Sequence, residues 1–402
     1  MLFCCYHALP QSRNLDYYLG NAFKNSPALH EFGNLILNSQ AEGELAKADM
    51  AKPKVYTTAD YLLSPSYKNF GYDPAITNGG LYSALVNFSY PLLTKVYVEA
   101  ALEKIKNGKS INENKQKKEI HELNKSIPDQ YIKCFQDITQ IQYYVEVINL
   151  LKDQQLLLKR LALNGIYKAT DYKLVEIELQ NQLISQHKLE NLYLADLADL
   201  NILCGIKDTA NVKLETPAIL IKDSVTGTSQ FLIGFKLDSL DMELDQRQFE
   251  LKYKPQLSFL SNAGLNSADI SEIQRRFGYS AGLSFSLNLY DGNQKKLKRQ
   301  MLAVSQNTNM AYRDNFTTRL FLNKSKLKTE LQSNGDQIRL LQNQIKEYEL
   351  LIDMFKKELA TGQISIIEFV TALRNYIDLK NTLIVAQGDQ LLLVNEYNYW
   401  NW

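Results

Sequence analysis

The sequence predicts a mainly α-helical protein with four β-strands, built as two copies of one unit. Matching residues recur at a constant offset of 197, as in Phe88 and Phe285 or Gly165 and Gly362. Four stretches read as strands, and the second strand of each copy alternates apolar and polar residues with period two. Only 18 Gly and 9 Pro occur in 402 residues, about 4.5% and 2.2% against roughly 7% and 5% on average. So few helix-breaking residues indicate long, uninterrupted helices.

The first copy covers residues 14–205 and begins with a helix followed by two strands. The helix is expected from Asn14 to Met50, although Pro27 would kink or break it, because proline lacks the backbone N–H that a helix interior needs. The two strands are predicted at 53–63 and 81–90, joined by a loop rich in Gly, Pro and Asn.

A very long helical hairpin follows the strands in each copy. The segments from Lys95 to Gly165 and from Gly292 to Gly362 are each 70 residues long, about 105 Å if fully helical. Pro128 and the polar run 107–118 should bend or loosen the first helix. Apolar residues recur every seven positions, which predicts coiled-coil packing of the hairpins: Ile120, Ile127, Cys134, Ile141 and Ile148 in the first helix, and Leu331, Ile338, Ile345, Ile352 and Leu359 in the second.

The second copy covers residues 231–402, with strands at 255–265 and 277–290 and a hairpin tip at Gly362. A linker at 206–230 joins the copies and carries a turn at 226–228. Residues 1–13 lack the basic and apolar regions of a complete secretory leader, so we expect a leader remnant or a disordered N-terminus.

Composition and motifs exclude several classes of protein. The formal net charge of +1 argues against a nucleic-acid-binding protein, because phosphate neutralisation requires a surplus of Lys and Arg. No stretch approaches the roughly 18 apolar residues of a membrane-spanning helix. The four Cys and four His have no metal-ligand spacing, and no catalytic motif is present. We therefore expect no enzyme, no metal and no cofactor.

The four strands raise a physical problem of their own. Their apolar residues share one face and their Ser and Asn residues the other, yet four strands are too few to close a barrel, and open edges template aggregation. Several chains that each contribute four strands could close one barrel, apolar towards lipid and polar towards a water-filled lumen. Tyr82, Tyr90 and Tyr290, near strand ends, would suit interfacial aromatic girdles.

Several motifs occur in a characteristic order over nearly the whole chain from Asn14. They are Asn25-Ser26-Pro27-Ala28-Leu29, Pro255-Gln256-Leu257-Ser258, Tyr290-Asp291-Gly292, the tip segments 165–171 and 362–368, and the segment 200–205. In this order and with this doubled spacing, the sequence resembles the TolC-type outer membrane efflux proteins, the outer membrane factor family.

The resemblance implies a homotrimer with a twelve-stranded transmembrane β-barrel in the outer membrane and a helical α-barrel that extends into the periplasm. The expected function is the exit duct of a tripartite efflux or type I secretion system. A periplasmic adaptor (membrane fusion) protein and an inner-membrane transporter would be its partners. Outer membrane lipid would surround the barrel.

The resemblance also assigns adaptor contacts to the hairpin tips. By position, the matching residues are Arg160, Gly165, Thr170 and Asp171 in the first copy and Lys357, Gly362 and Glu368 in the second. Ile367 stands where the first copy has Thr170. Glu368 also matches an acidic residue that narrows the pore in the family. The second acidic position is Thr371 and the basic partner position is Ile364, so the salt bridge that closes some family members is not expected here.

Two residue types at the tips have a simpler interpretation. A glycine at a helix end supplies the positive φ of a tight turn, and this alone would explain Gly165 and Gly362. Glu368 could be a solvated helix charge as well as one member of a ring that favours cations.

The alternative function is a soluble or periplasmic coiled-coil scaffold without a pore, whose four strands pair in a small sheet.

Overall fold

The computed structural model describes residues 12–65, 67–68, 70–73, 75, 80–210, 212–222 and 229–402. Most of the predicted N-terminal leader remnant and the predicted turn at 226–228 therefore lie outside the described residues. The chain forms two compact units. The first comprises Met1–His30, Gln116–Phe231 and Asn315–Trp402, and the second comprises Glu31–Lys115 and Leu232–Asp314.

The helices and strands follow the predicted two-copy order. In the first half they are β1 (Ser12–Arg13), α1 (Leu15–Asn25), α2 (Pro27–Ala51), β2 (Lys54–Leu63), β3 (Gly80–Pro91), α3 (Lys95–Leu163), α4 (Ala169–Leu203) and β4 (Lys213–Leu214). In the second half they are α5 (Ile233–Glu250), β5 (Gln256–Ser267), β6 (Phe277–Ser286), α6 (Gln294–Thr361) and α7 (Ile366–Trp400). Among the described residues, no helix is both long and apolar enough to cross a lipid bilayer.

The helical segment predicted from Asn14 to Met50 is broken at Pro27 into α1 and α2, as the proline allowed. The side chain of Asn14 caps α1 by accepting a hydrogen bond from the N–H of Tyr17 at 3.0 Å. Ser26 is extended, with φ −64° and ψ 116°, because the ring of the following Pro27 disfavours the helical conformation. Pro27 then begins α2, where its missing N–H costs nothing.

The first long helix, α3, runs without interruption through both segments where a bend or loosened turn was predicted. In the second unit, the buried Asn107 donates from Nδ2 to the Leu237 carbonyl at 3.3 Å and to an Asp241 carboxylate oxygen at 3.1 Å. Because two acceptors on α5 bind the buried amide nitrogen of Asn107, this part of the polar run is a contact between helices and not a solvated break.

Pro128 lies inside α3, and the helix continues through it. Asn395 of α7 donates from Nδ2 to the carbonyl of Lys125 and to the carboxylate of Asp129, both at 2.8 Å. These contacts hold α7 against the turn of α3 that contains the proline. The prediction of a loosened helix at Pro128 was wrong, because the helix is uninterrupted there.

The second unit contains one four-stranded antiparallel sheet with the order β2-β3-β5-β6. The strands coincide closely with those predicted, except that β6 ends at Ser286 and not at residue 290. Ser286 pairs with Gln256, the first residue of β5. Pro255 precedes it and has no N–H to donate, so the ladder stops there.

In the first unit, β1 and β4 form a short parallel pair, in which Ser12 faces Lys213 and Arg13 faces Leu214. Tyr131 of α3 donates to the carbonyls of Arg13 at 3.0 Å and Glu215 at 2.7 Å. Pairing with the segment predicted as a linker thus gives Ser12 and Arg13 a defined strand conformation.

Six of the ten predicted heptad positions are buried in the first unit: Ile127, Cys134 and Ile148 of α3 and Ile345, Ile352 and Leu359 of α6. Ile141, Leu331 and Ile338 are partly buried, and Ile120 is 37% exposed in the single chain. One cluster of buried residues joins α3, α4, α6 and α7 near the hairpin turns, and its fully buried members include Leu158, Val175, Leu359, Phe369 and Leu373.

Candidate functional site

The turn after α3 ends the helix with a Schellman motif centred on Gly165. The N–H of Ile166 bonds to the carbonyl of Leu161 at 3.0 Å, and that of Gly165 bonds to Ala162 at 3.1 Å. Gly165 has φ +78°, a conformation that side chains with a Cβ rarely adopt. This geometry accounts for a glycine at this position.

The turn after α6 has the same geometry, as the internal repeat predicts. The N–H of Gln363 bonds to the carbonyl of Glu358 at 2.9 Å, and that of Gly362 bonds to Leu359 at 3.3 Å. Gly362 has φ +77°. The two glycines therefore occupy equivalent helix C-terminal caps.

The two tips contact each other directly. The hydroxyl of Tyr167 donates to the carbonyls of Leu359 at 3.2 Å and Ile364 at 3.1 Å. A Cβ on Gly362 would lie 2.7 Å from Cγ2 of Ile166, whereas a Cβ on Gly165 would meet nothing within 4 Å. The tips are therefore not equivalent, because the first one packs against the second.

The residues after each turn begin the returning helices α4 and α7. The carboxylate of Asp171 accepts a hydrogen bond from the N–H of Lys168 at 2.9 Å, and this satisfies one free donor at the start of α4. Lys168 itself has no acceptor to complete a capping box. In the second copy Ser365 caps α7 by accepting from the N–H of Ile367 at 3.3 Å.

The structure brings the sequence-predicted site residues to this one end of the first unit. Asp171 is half-buried, and the other six are exposed: Arg160, Gly165, Thr170, Lys357, Gly362 and Glu368. Exposed side chains at two adjoining turns form a surface that another protein could contact. Ile166, Tyr167 and Ile364, which join the tips, were not assigned this role from the sequence. Only the packing of one hairpin on the other reveals it.

A charged pair links the two hairpins behind the tips. The guanidinium of Arg374, on α7, donates to Oε2 of Glu178, on α4, from Nε at 2.8 Å and from Nη2 at 2.5 Å. Gln182 donates to Oε1 of the same carboxylate at 2.6 Å. The side chain of Glu178 is only 1% exposed, while that of Arg374 is 56% exposed. This pair was not predicted, because isolated charged residues in a helical sequence usually indicate a solvent-exposed face.

The sheet of the second unit presents one mainly apolar face. The register places the alternating residues Tyr82, Ala84, Val86, Phe88 and Tyr90 of β3 on that face. Tyr61 pairs with Tyr82 near one end, and their ring centroids are 5.0 Å apart. Phe88 and Phe259 lie 6.1 Å apart near the other end. Exposed members of this face include Val55, Tyr61, Val86, Tyr279, Leu283 and Phe285.

The opposite face of the sheet is mainly polar and is joined by hydrogen bonds between strands. Ser83 donates to Asp60 at 3.2 Å, and Asn87 donates to Thr58 at 2.9 Å. Ser280 donates to its cross-strand neighbour Asn262 at 2.9 Å. Within the described part of the chain, β2 and β6 each pair with one strand only, so both outer edges of the sheet are open.

Outside the tips and the sheet, potential metal ligands and cysteines are the remaining candidates for a site. Among the described residues, no group of three or more His, Cys, Asp or Glu side chains could hold a metal ion. Cys134 and Cys204 are buried free thiols, and burial raises the pKa of each well above its ordinary value.

Comparison with solved structures relates this geometry to known proteins. The chain superimposes on the Campylobacter jejuni CmeC outer membrane channel with a TM-score of 0.76 and 13% identity, covering 96% of this chain and 85% of that one. The outer membrane protein VceC from Vibrio cholerae gives a TM-score of 0.75, 12% identity and 96% coverage of both chains. This chain has the fold of an outer membrane channel.

A third structure agrees with these two. CusC, studied for conformational changes accompanying folding and transmembrane channel formation, gives a TM-score of 0.72 and 14% identity, covering 97% of this chain and 92% of that one. No protein-family model and no curated protein sequence matches the chain. The resemblance to TolC-type proteins inferred from the sequence is thus confirmed at the level of the fold.

Proposed function

We propose that the chain is one subunit of an outer membrane exit duct, and that three copies close a twelve-stranded barrel. The observation that carries this proposal is the sheet, which has an exposed apolar face, a polar opposite face and two open edges. In lipid every backbone polar group needs a partner, so an open sheet is not stable there but a closed ring is. Joining β6 of one copy to β2 of the next would satisfy both edges.

The aromatic residues of the apolar face support this orientation. Tyr82 and Tyr90 are eight residues apart on β3, which is about 26 Å along an extended strand. With the strand tilted by about 40°, the two levels would be separated by about 20 Å. Outer membrane barrels have an apolar band of about 25 Å bounded by aromatic girdles. The polar face, with Asn87 and Ser280, would line the lumen.

The hairpin tips are proposed to dock a periplasmic adaptor protein. The exposed side chains of Arg160, Thr170, Lys357 and Glu368 surround the two glycine turns and are free to contact a partner. Asp171 would act mainly through its cap on α4, which holds the turn in place. With an inner-membrane transporter, this assembly would form a tripartite efflux or type I secretion system in which the duct is a passive conduit. Glu368 is proposed to narrow its periplasmic mouth.

The decisive experiment is reconstitution of the purified chain. A subunit of the proposed duct should purify as a detergent-requiring trimer and should conduct ions across a planar lipid bilayer. The alternative, a scaffold without a pore, predicts a chain that stays monodisperse in buffer without detergent and produces no conductance. The exposed apolar face favours the first outcome, because soluble monomers rarely expose large contiguous apolar patches.

A further inference from the structure

The two β-hairpins of the second unit are copies of each other at the level of single residue pairs. In the first hairpin Lys54 faces Ser89. In the second, Gln256 faces Ser286, and these residues lie 202 positions after Lys54 and 197 positions after Ser89. The same two offsets relate all ten pairs of β2 and β3 to the ten pairs of β5 and β6. Strand β5 is therefore the counterpart of β2, and β6 is the counterpart of β3.

One junction of the sheet has no counterpart within the chain. The hairpins meet where β3 pairs with β5, so the corresponding junction would join β6 to β2. These two strands are the opposite edges of the sheet, separated by about three strand spacings of about 4.8 Å each. All ten residues of β6 are exposed, whereas most of β3 is buried or half-buried. Only β2 of a second copy can therefore complete the corresponding junction.

The end of β6 reflects this open edge. Strand β3 continues for two residues beyond Ser89, the last residue that pairs with β2, and β5 pairs with this extension at Tyr90 and Pro91. The residues that correspond to the extension are Leu287 and Asn288, which lie beyond the end of β6 and are exposed. The extension is thus a strand in the first copy, where the junction is made, and not in the second copy, where the edge is open.

We infer that β6 of one copy pairs antiparallel with β2 of the next in the register of the β3–β5 junction, and that this pairing extends β6 through Asn288. The partner is a second copy of this chain, because the interface repeats a contact that the chain already makes with itself. The inference rests on the proposed duct and specifies which residues close its barrel.

The two offsets convert each pair of the β3–β5 junction into a pair between copies. Phe88 faces Ser261 within the chain, so Phe285 would face Ala59 of the next copy. The same conversion gives three further pairs between β6 and the next β2: Leu283 with Tyr61, Ser284 with Asp60, and Ser286 with Thr58.

Both faces of the sheet agree with this register. Leu283 and Phe285 are exposed on the apolar face, and their new neighbours lie on the apolar face of β2. On the polar face, the hydroxyl of Ser284 would face the Asp60 carboxylate, which already accepts from Ser83 at 3.2 Å within the chain. A displacement by one residue would place apolar side chains opposite polar ones. The alternation therefore excludes odd displacements, and the repeat selects among the even ones.

Disulfide crosslinking tests the register directly. The variant carries Thr58→Cys and Ser286→Cys, which would face each other between copies. Opposite residues on antiparallel strands have Cα atoms about 4.5–5.5 Å apart, which suits a disulfide. Within one chain these residues lie on opposite edges of the sheet, so a bond between them joins two copies. Oxidation of the detergent-solubilised chain with copper phenanthroline should give a covalent trimer on a denaturing gel without reductant.

Two matched controls keep Ser286→Cys and move the other cysteine by two residues on the same face of β2, to Tyr56→Cys or to Asp60→Cys. In the inferred register these positions are diagonal neighbours, about 7–8 Å away, so the yield of covalent trimer should be at least about fivefold lower. Each cysteine introduced alone should give no covalent trimer, which also controls for the four native cysteines. A higher yield from either control pair would overturn the register.

Hydrogen exchange of the wild type provides a measurement that needs no substitution. Leu92 donates from its N–H to the carbonyl of Leu257 at 2.8 Å, next to the β3–β5 ladder. The corresponding bond would join the N–H of Leu289 to the carbonyl of Val55 of the next copy. The Leu289 amide should therefore exchange at least about tenfold more slowly in the trimer than in an unfolded peptide. Exchange at the unfolded rate in the trimer would overturn the inference.

Light scattering on the same samples separates this inference from the proposed duct. If the variant with Thr58→Cys and Ser286→Cys is a detergent-requiring trimer that does not crosslink, the register is wrong and the duct stands. If the wild-type chain stays monomeric, both the duct and the register are wrong.

Discussion

At the scale of single residues, the tip glycines show which structural properties a sequence pattern can predict. Helix-end geometry predicts a glycine at Gly165 and Gly362, and both residues have the positive φ that the prediction requires. The pattern could not show that the two positions differ in their surroundings. Ile166 contacts Gly362 and nothing comparable contacts Gly165, because that contact depends on how one hairpin packs against the other.

This difference predicts unequal effects of the same substitution. Gly165→Ala should cost only the strain of a left-handed residue, about 1–2 kcal/mol, because its Cβ meets open space. Gly362→Ala should cost more, since its Cβ would also approach Ile166 at 2.7 Å. Denaturant unfolding of the detergent-solubilised chain measures both values.

A double-mutant cycle checks the cause of the difference. In an Ile166→Ala background, Gly362→Ala should cost no more than Gly165→Ala, because the obstructing methyl group is absent. An equal excess cost in both backgrounds would rule out the contact as the cause.

If the tips dock an adaptor, replacing Gly165 or Gly362 with valine should weaken crosslinking of the chain to that adaptor. The trimer should persist in both variants. Unchanged crosslinking in both variants would refute the tip assignment.

At the scale of elements, the predicted strands and long helices agree with the structure, whereas their interruptions are less well predicted. Alternation and heptad spacing are local properties of the chain, and each copy repeats them. Pro27 breaks a helix as local chemistry suggests, but Pro128 does not. Asn395, 267 residues further along the chain, supplies donors at that turn of α3, and no local pattern includes such a partner.

The link between α4 and α7 gives a prediction at this scale. Among the described residues, Arg374→Ala would leave the buried Glu178 carboxylate with the amide of Gln182 as its remaining hydrogen-bond donor. Hydrogen bonds to charged groups contribute about 1.5–3 kcal/mol each, so we expect a loss of about 2–3 kcal/mol in the free energy of unfolding. Glu178→Gln should remove most of this penalty, because the buried group is then neutral.

A double-mutant cycle of denaturant unfolding curves measures the coupling between Glu178 and Arg374. Arg374→Ala should be clearly less costly when added to Glu178→Gln than when added to wild type. Additive effects of the two substitutions would mean that the pair is not coupled in solution. Arg339, which is exposed and pairs with Asp336 within α6, offers a control: its replacement by alanine should cost no more than about 0.5 kcal/mol.

At the scale of the whole molecule, the two faces of the sheet decide between a duct and a scaffold. Four strands with one exposed apolar face and two open edges are incomplete as a soluble domain, which agrees with the proposed ring of several copies. The polar face, with Asn87 and Ser280, is already satisfied by cross-strand hydrogen bonds. A sheet with one apolar face and one hydrogen-bonded polar face is suited to separate lipid from water.

Two adjacent residues of β3 provide a matched test of which face of the sheet contacts lipid. Val86 lies on the apolar face midway between Tyr82 and Tyr90, and Asn87 lies on the polar face. Val86→Lys should cost about 2–4 kcal/mol in lipid and should prevent insertion of the trimer into liposomes. Asn87→Lys should insert normally and shift the reversal potential of the pore towards anions, because it adds positive charge to the lumen. Equal insertion of both variants would contradict the assigned faces.

The sequence by itself determined the repeated unit, the four strands, the long helices and the residues at the tips. These features follow from spacing and backbone chemistry within a few turns of the chain. Tertiary structure alone decided that the first tip packs on the second, that α3 passes through Pro128 and that Glu178 meets Arg374. Each of these contacts joins residues far apart in the sequence, and their energies depend on burial, which a local pattern does not contain.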